Sequence, residues 1–230
     1  MRKKINYFVV IVGIMSMLSS LGTNATVVNA SSASGTNRVE EGIAFDDATV
    51  EKLKEKIQEE TISADKITDN SDKKINARST CAIGSIAKRK GVIWVTTDKY
   101  SGVIESGHAA IVYSKSKVVE ALSSGVKVKS ARWDLSKNEF YACTVNKTTI
   151  EEDEKAANYC HRRVGRPYNW NYFDIDTRSK FYCSQLVYSA FKDLFSIDLN
   201  TNMFKSPLGN PIHPYELLSS NKTTVIGRYK

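Results

Sequence analysis

The feature that most constrains the fold is a switch in hydrophobic period after residue 145. Before the switch come five short segments that are rich in β-branched and aromatic residues and separated by turn residues, as strands are. They span residues 91–97, 108–114, 118–122, 126–135 and 139–145. After the switch, apolar residues recur at helical spacing. Consecutive strands followed by helices predict an α+β fold, with an antiparallel sheet or a small barrel packed against the helices.

The first helix after the strands should begin at Thr149. Thr149 and Glu152 have the spacing of a capping box, in which each side chain bonds the backbone amide of the other residue. We expect this helix to reach about Val164, because Gly165 suits the end of a helix.

A second helix should begin near Cys183, and a last strand is expected over residues 223–229. Apolar residues at helical spacing are expected to line the buried face of this helix: Leu186, Val187, Ala190, Phe191 and Leu194.

Residues 1–30 have the pattern of a secretory signal peptide. A basic stretch at 2–4 precedes an uncharged apolar run at 7–21, and small residues at 28–30 suit cleavage. An uncleaved membrane anchor is the alternative, but a spanning helix needs about twenty apolar residues. We expect a secreted or cell-wall-associated protein with no stable membrane anchor. Cleavage removes three of the 33 basic residues and no acid, so the formal net charge falls from +8 to +5.

Residues 31–79 are expected to be a flexible linker that contains one amphipathic helix over 46–60, and residues 80–230 the compact domain. The helix would be capped by Asp46 or Asp47. Its apolar residues are Val50, Leu53 and Ile57. It could dock on the domain and cover its site, although a solvated spacer is the simpler interpretation.

Four cysteines, Cys81, Cys143, Cys160 and Cys183, are present. If Cys183 is a working thiol, at most one disulfide forms among the other three, and the sequence leaves the pair open. The chain has no metal-ligand spacing and no cofactor motif, so we expect neither. Its basic residues are scattered and it has no nucleic-acid-binding motif, so nucleic acid is not an expected partner.

Cys183, His108 and Glu120 are the candidate catalytic residues. A thiol at the start of a helix is favoured as thiolate by the helix dipole, although a core cysteine is the commoner meaning of such a position. His108 begins an apolar strand, which fixes its backbone, whereas His161 and His213 lie in a charged helix and in a loop.

Glu120, on the next strand, could orient the imidazole of His108. In a flat hairpin the two residues are not opposite each other. A contact between them therefore needs strong coiling, a bulge or an odd number of residues in the turn.

Three segments resemble the YiiX/YaeF-type hydrolases, the circularly permuted branch of the NlpC-type, papain-like cysteine peptidases. They are Ser-Gly-His-Ala-Ala-Ile-Val at 106–112, Val-Val-Glu-Ala at 118–121 and Phe-Tyr-Cys-Ser-Gln-Leu-Val at 181–187. The histidine strand precedes the cysteine helix, which is the permuted order. Residues 165–168 and 211–218 also look like family features.

The resemblance implies a papain-like fold and a Cys183–His108–Glu120 triad acting on amide bonds. It implies substrate-binding roles for Tyr182 and Ser184, and a weaker one for Tyr168 near the oxyanion. Cell-wall peptidases of the unpermuted branch carry Asp where this chain has Tyr182, so peptidoglycan is less firmly implied than the chemistry. The expected substrate is a cell-envelope peptide or another amide, peptidoglycan included.

Two other functions are compatible with the same residues. One is thiol acyl transfer or deacylation on lipid-like substrates, for which Tyr182 would suit an apolar site. The other is a binding module that keeps the fold without activity, against which the presence of all three polar residues argues. The oligomeric state is left open.

Overall fold

A six-stranded antiparallel sheet forms the centre of the part of the chain that the structure describes. The computed structural model describes residues 44–68, 86–98 and 107–230. Its strands are β1 Ile93–Thr96, β2 His108–Ser114, β3 Lys117–Leu122, β4 Gly125–Ser130, β5 Phe140–Val145 and β6 Thr223–Tyr229. Their order is β4-β3-β2-β1-β5-β6, and β4 and β6 are the edges. The predicted α+β class is confirmed in its open-sheet form, and the barrel does not form.

Four helices accompany the sheet within the described residues: α1 Asp47–Thr68, α2 Ile150–His161, α3 Cys183–Phe195 and α4 Glu216–Ser219. Helices α2 and α3 pack against each other and against β2. None of the described helices combines the length and the apolar character needed to cross a membrane.

Alternating strand residues separate two apolar layers. Ile93 and Val95 belong to the layer that contains the helices, whereas Trp94 between them belongs to the layer on the other side. Because successive strand side chains point to opposite faces, β1 contributes to both layers. In the second layer, Trp94 packs against Trp133 and Phe140, with ring centroids 5.7 Å and 5.1 Å away.

Helix α2 begins with the predicted capping box but ends earlier than predicted. Both reciprocal bonds between Thr149 and Glu152 are present, at 2.7 Å and 3.2 Å. The helix ends at His161, because the chain beyond it pairs with the edge strand. The N–H of Gly165 donates to the carbonyl of Val126 at 2.9 Å.

The predicted end of the fourth strand is wrong. β4 stops at Ser130, and Trp133–Leu135 forms a 3-10 helix instead of continuing the strand. Trp133 turns into the second apolar layer, whereas Leu135 is exposed. The burial of one large ring therefore overrides the alternation that suggested a longer strand.

Helix α3 begins at Cys183 as predicted, and four of the five predicted stripe residues are buried. Leu194 is the exception and is 39% exposed. The helical period determines which face a residue lies on, but not how far neighbouring elements cover that face.

Helix α1 docks on the domain and is not a solvated spacer. Its first turn is capped by Asp46, whose Oδ1 accepts from the N–H of Thr49 at 2.9 Å. The predicted apolar residues Val50, Leu53 and Ile57 are buried. The helix runs to Thr68, beyond the predicted end at residue 60. Residues 1–43 and 69–85 lie outside the described residues, so the signal peptide and the rest of the linker stay predictions.

Candidate active site

Cys183 is the first residue of α3 and is buried. Gln185 holds the chain that enters this helix. Its Oε1 accepts from the N–H of Tyr182 at 3.1 Å and from Nδ2 of Asn169 at 3.0 Å, and its Nε2 donates to the carbonyl of Asp174 at 3.0 Å. The sequence patterns assigned no role to Gln185. Its place in the first turn, where Gln or Glu bonds back to the N-cap, is the signal for this role.

His108 begins β2, where it pairs with Thr96 of β1. The preceding residue, Gly107, has φ +94, and a Cβ there would lie 2.6 Å from Cε1 of Tyr215. Only glycine fits both the left-handed backbone and the close ring. The conformation of Gly107 therefore fixes the position of the His108 backbone at the start of β2.

Glu120 lies on β3, and its Oε2 is 2.7 Å from Nε2 of His108. The turn between the strands contains Lys115 and Ser116. With this two-residue turn and regular pairing, the side chains of His108 and Glu120 would point to opposite faces of the sheet.

A β-bulge in β2 corrects the parity. Ser114 pairs with Lys117, but Val112 pairs with Val118, so β2 has one more residue than β3 over this interval. Because side chains alternate along a strand, a shift of one residue brings the imidazole and the carboxylate to the same face.

The side chain of Cys183 lies next to the imidazole of His108 and contributes to raising the pKa of that imidazole. The imidazole thus has a thiol as neighbour and a carboxylate as hydrogen-bond partner, which is the set of groups expected of a nucleophile, its base and an orienting acid.

Burial and polar contacts act on the His108 pKa in opposite directions. Burial disfavours the imidazolium and lowers the pKa, but the hydrogen bonds to Cys183 and Glu120 and the charges of both partners outweigh it. The net effect raises the His108 pKa to about 9. The raised pKa favours the imidazolium form of His108.

Trp133 and Lys137 also lie near this site, and the sequence reasoning missed both. The Trp133 ring centroid is 5.9 Å from that of His108, and Nζ of Lys137 is 5.6 Å from the Trp133 ring. Burial lowers the Lys137 pKa, while the charges of Glu120 and Asp98 oppose that shift. The 3-10 helix that delivers Trp133 left no periodic signal, since it falls in a segment predicted as strand.

The three predicted substrate-binding residues are all buried. The hydroxyl of Tyr182 accepts from the N–H of Ile212 at 3.1 Å, and Oγ of Ser184 donates to the carbonyl of Ile212 at 2.7 Å. Tyr168 pairs with Phe181 in an isolated parallel bridge. Their contacts tie loops to the start of α3, and their roles toward a substrate stay predictions.

Cys143 and Cys160 are free, buried thiols. Burial raises the pKa of both, that of Cys160 to about 12, so neither is poised to react as thiolate. Cys81, the third candidate for a disulfide, lies outside the described residues. Among the residues that the structure describes, no group of three or more His, Cys, Asp or Glu side chains could hold a metal ion.

The other two histidines lie in different surroundings. The ring of His161 stacks on Tyr113 with centroids 4.1 Å apart. His213 is buried among the rings of Phe45, Phe204 and Tyr215. Among the described histidines, His108 is the one whose ring bonds a carboxylate and has the Cys183 thiol as a neighbour that acts on its pKa.

Comparison with known proteins identifies the family. Residues 91–211, just over half of the chain, match the model of the permuted papain-like amidase enzymes of the YaeF/YiiX type. The chain belongs to this family, as its motifs predicted, and is a papain-like enzyme of the amide hydrolase class. The matched region contains Cys183, His108 and Glu120.

One solved structure and the curated proteins complete the comparison. The crystal structure of the metalloprotein YiiX from Escherichia coli O157:H7 is similar over 60% of this chain and 96% of that chain, with 15% sequence identity and a TM-score of 0.47. No curated protein matches the chain in sequence.

Proposed function

We propose that the chain is a secreted thiol amidase in which Cys183 is the nucleophile, His108 transfers the proton and Glu120 orients His108. The observation that carries the proposal is the continuous line of side-chain contacts from Cys183 through His108 to Glu120, whose second link measures 2.7 Å. A binding module would not need a buried imidazole held between a thiol and a carboxylate.

The reaction proceeds in two steps. The sulfur of Cys183 bonds to the carbonyl carbon of an amide, and the imidazolium of His108 protonates the leaving nitrogen as the C–N bond breaks. A thioester on Cys183 and a neutral His108 result. His108 then takes a proton from water, the water oxygen attacks the thioester, and the carboxylic acid leaves while the Cys183 thiolate and the imidazolium are restored.

The N–H of Cys183 is the proposed oxyanion donor. It belongs to the first turn of α3, whose amides have no carbonyl partner within the helix. A donor at this position acts where negative charge develops in the tetrahedral intermediate. Tyr168 is the candidate for a neighbouring donor, because its bridge to Phe181 brings its backbone close to the start of α3.

Peptides of the cell envelope, including those of peptidoglycan, are the proposed substrates. The signal-peptide pattern of residues 1–30 and the net positive charge support an enzyme that works at an anionic cell surface. Tyr182 has no carboxylate that could pair with the ammonium group of a substrate, and its hydroxyl already accepts from the N–H of Ile212. We therefore expect recognition of the peptide through apolar contacts.

The test is cleavage of purified envelope peptides, followed by mass spectrometry of the products. Wild type should release new amine and acid termini, and Cys183→Ala should lose this by at least about 10⁴-fold. Cys160→Ala is the matched control, since Cys160 is an equally buried thiol whose Sγ is 3.5 Å from the carbonyl of Leu186. Equal cleavage by wild type and Cys183→Ala would refute the proposal. An accumulating thioester without hydrolysis would favour acyl transfer.

A further inference from the structure

Three aromatic side chains of the domain enclose Phe45, which lies two residues before α1. The ring centroid of Phe45 is 5.5 Å from that of Tyr172, 5.2 Å from that of Phe204 and 5.0 Å from that of His213. We call Tyr172, Phe204 and His213 the aromatic pocket. Phe45 itself is buried.

The aromatic pocket is joined to the residues on either side of the nucleophile. The ring of Tyr172 packs on that of Tyr182 at 5.1 Å, and Tyr182 directly precedes Cys183. The hydroxyl of Tyr182 also donates to the carbonyl of Tyr172 at 3.3 Å.

The other wall of the pocket is joined to the same place. Ile212, which precedes His213, is bonded through its N–H to Tyr182 and through its carbonyl to Ser184. The pocket and the start of α3 thus form one hydrogen-bonded unit.

The pocket is also connected to the strand that carries the base. The ring of His213 lies 4.7 Å from that of Tyr215, which packs against Gly107 immediately before His108. The aromatic pocket is therefore connected, through Tyr182 and Tyr215, to the residues that precede the two members of the proposed catalytic pair.

The nucleophile cannot be reached in this structure, because Cys183 and His108 are both 0% exposed. Part of the protein must move before a substrate carbonyl can meet the sulfur. Phe45 comes from a segment outside both the sheet and the α2–α3 pair. Phe45 shows that an aromatic side chain from a peptide segment fits between these walls.

We infer that the aromatic pocket binds a large apolar, preferably aromatic, side chain of the substrate, and that Phe45 fills the pocket when substrate is absent. The inference rests on the proposed thiol amidase function and names the kind of side chain that this site selects. Three rings that meet a fourth at tilted or edge-on angles give aromatic groups an advantage over aliphatic ones. The docked N-terminal helix then acts as an occupant that substrate must displace.

The test compares alkylation of Cys183 by iodoacetamide in the full chain, read from the mass of the peptide that carries it. Phe45→Ala should react roughly tenfold or more faster than wild type, because the competing occupant is gone. Millimolar N-acetyl-L-phenylalaninamide should slow Phe45→Ala saturably, and N-acetyl-L-alaninamide should not. Val50→Ala is the matched control, since it shortens a buried side chain of α1 but leaves Phe45 in the pocket.

Two results would overturn the inference: Phe45→Ala reacting at the wild-type rate, or the two amides acting alike on it. Alkylation of Cys143 and Cys160 reports unfolding, and if these react, Phe45→Leu replaces Phe45→Ala, with a smaller acceleration expected. Adding His108→Ala to each chain separates the two proposals. A His108 change without effect defeats the catalytic pair, whereas the effect of Phe45 decides only the pocket.

Discussion

Two buried His–Glu pairs lie in the part of the protein that the structure describes, and they serve different ends. In the first, the carboxylate of Glu120 bonds the imidazole of His108 at 2.7 Å. In the second, the carboxylate of Glu216 accepts from the backbone N–H of His213 at 2.7 Å and from that of Thr201 at 3.0 Å. The two pairs have the same composition, so residue type and burial do not identify a catalytic site. The atom to which the carboxylate bonds does.

The electrostatic contrast follows from these partners. His108 is held between two groups that favour its cation, which raises its pKa to about 9. Burial raises the pKa of Glu216, and the hydrogen bonds from Thr201, His213 and Met203 oppose that shift. Glu216, the first residue of α4, thus holds the backbone of the preceding loop to this helix, whereas Glu120 bonds a group that can transfer a proton.

The largest expected effect comes from replacing each histidine by glutamine. His108→Gln keeps an amide N–H for Glu120 but cannot transfer a proton, so kcat should fall by at least about 10³-fold. His213→Gln removes a ring from the aromatic pocket and should lower the free energy of unfolding by about 1–3 kcal/mol, with kcat changed far less. Product release and urea unfolding measure the two quantities. The opposite pattern would show that the pairs have been assigned the wrong way round.

The pH dependence sharpens the comparison. The imidazolium of His108 is present below its pKa of about 9 and is lost above it, so the rate should fall as the pH rises through about 9. Glu120→Gln removes a charge that raises this pKa, so the alkaline fall should move to lower pH, with a loss in kcat of roughly tenfold or more. In Glu216→Gln the alkaline fall should stay where it is in wild type. Initial rates between pH 5 and 10 test this, and a fall that moves in both variants or in neither would contradict it.

The smallest expected effect concerns the connection between the two regions. Tyr182→Phe removes the hydroxyl that accepts from Ile212 and donates to Tyr172, and should cost about 1–3 kcal/mol of unfolding free energy, because it leaves a buried N–H without its partner. The ring contact with Tyr172 is retained. Ser184→Ala removes the neighbouring bond to Ile212 and provides the comparison. Additive losses in the double variant would mean that the two bonds do not act together.

Most of the correct predictions rest on residues that are close together in the sequence. The starts of β2, α2 and α3 depend on nearby residues: a glycine before His108, a capping box at Thr149 and an apolar stripe after Cys183. The family motifs gave the order of the three polar residues along the chain, and the family match confirmed the fold class and the amide hydrolase activity.

What could not be predicted depends on residues far apart in sequence. The docking of α1 relies on Phe204 and His213, more than 150 residues beyond Phe45. Trp133 is buried in the second apolar layer because its ring packs against those of Trp94 and Phe140. The bulge in β2 contains no glycine or proline that would indicate it in the sequence. The sequence therefore showed that a contact between His108 and Glu120 needs an irregularity, but not where that irregularity lies.

The bulge also limits how this hairpin can vary in length. Between His108 and Glu120 the chain must preserve an odd–even relation, so losing or gaining a single residue would exchange inward and outward side chains on one strand. Changes of two residues would keep that relation. The length of this hairpin is thus restricted to steps of two residues. The exposed turn between β3 and β4 lies outside the interval from His108 to Glu120, so its length does not change how those two side chains face each other.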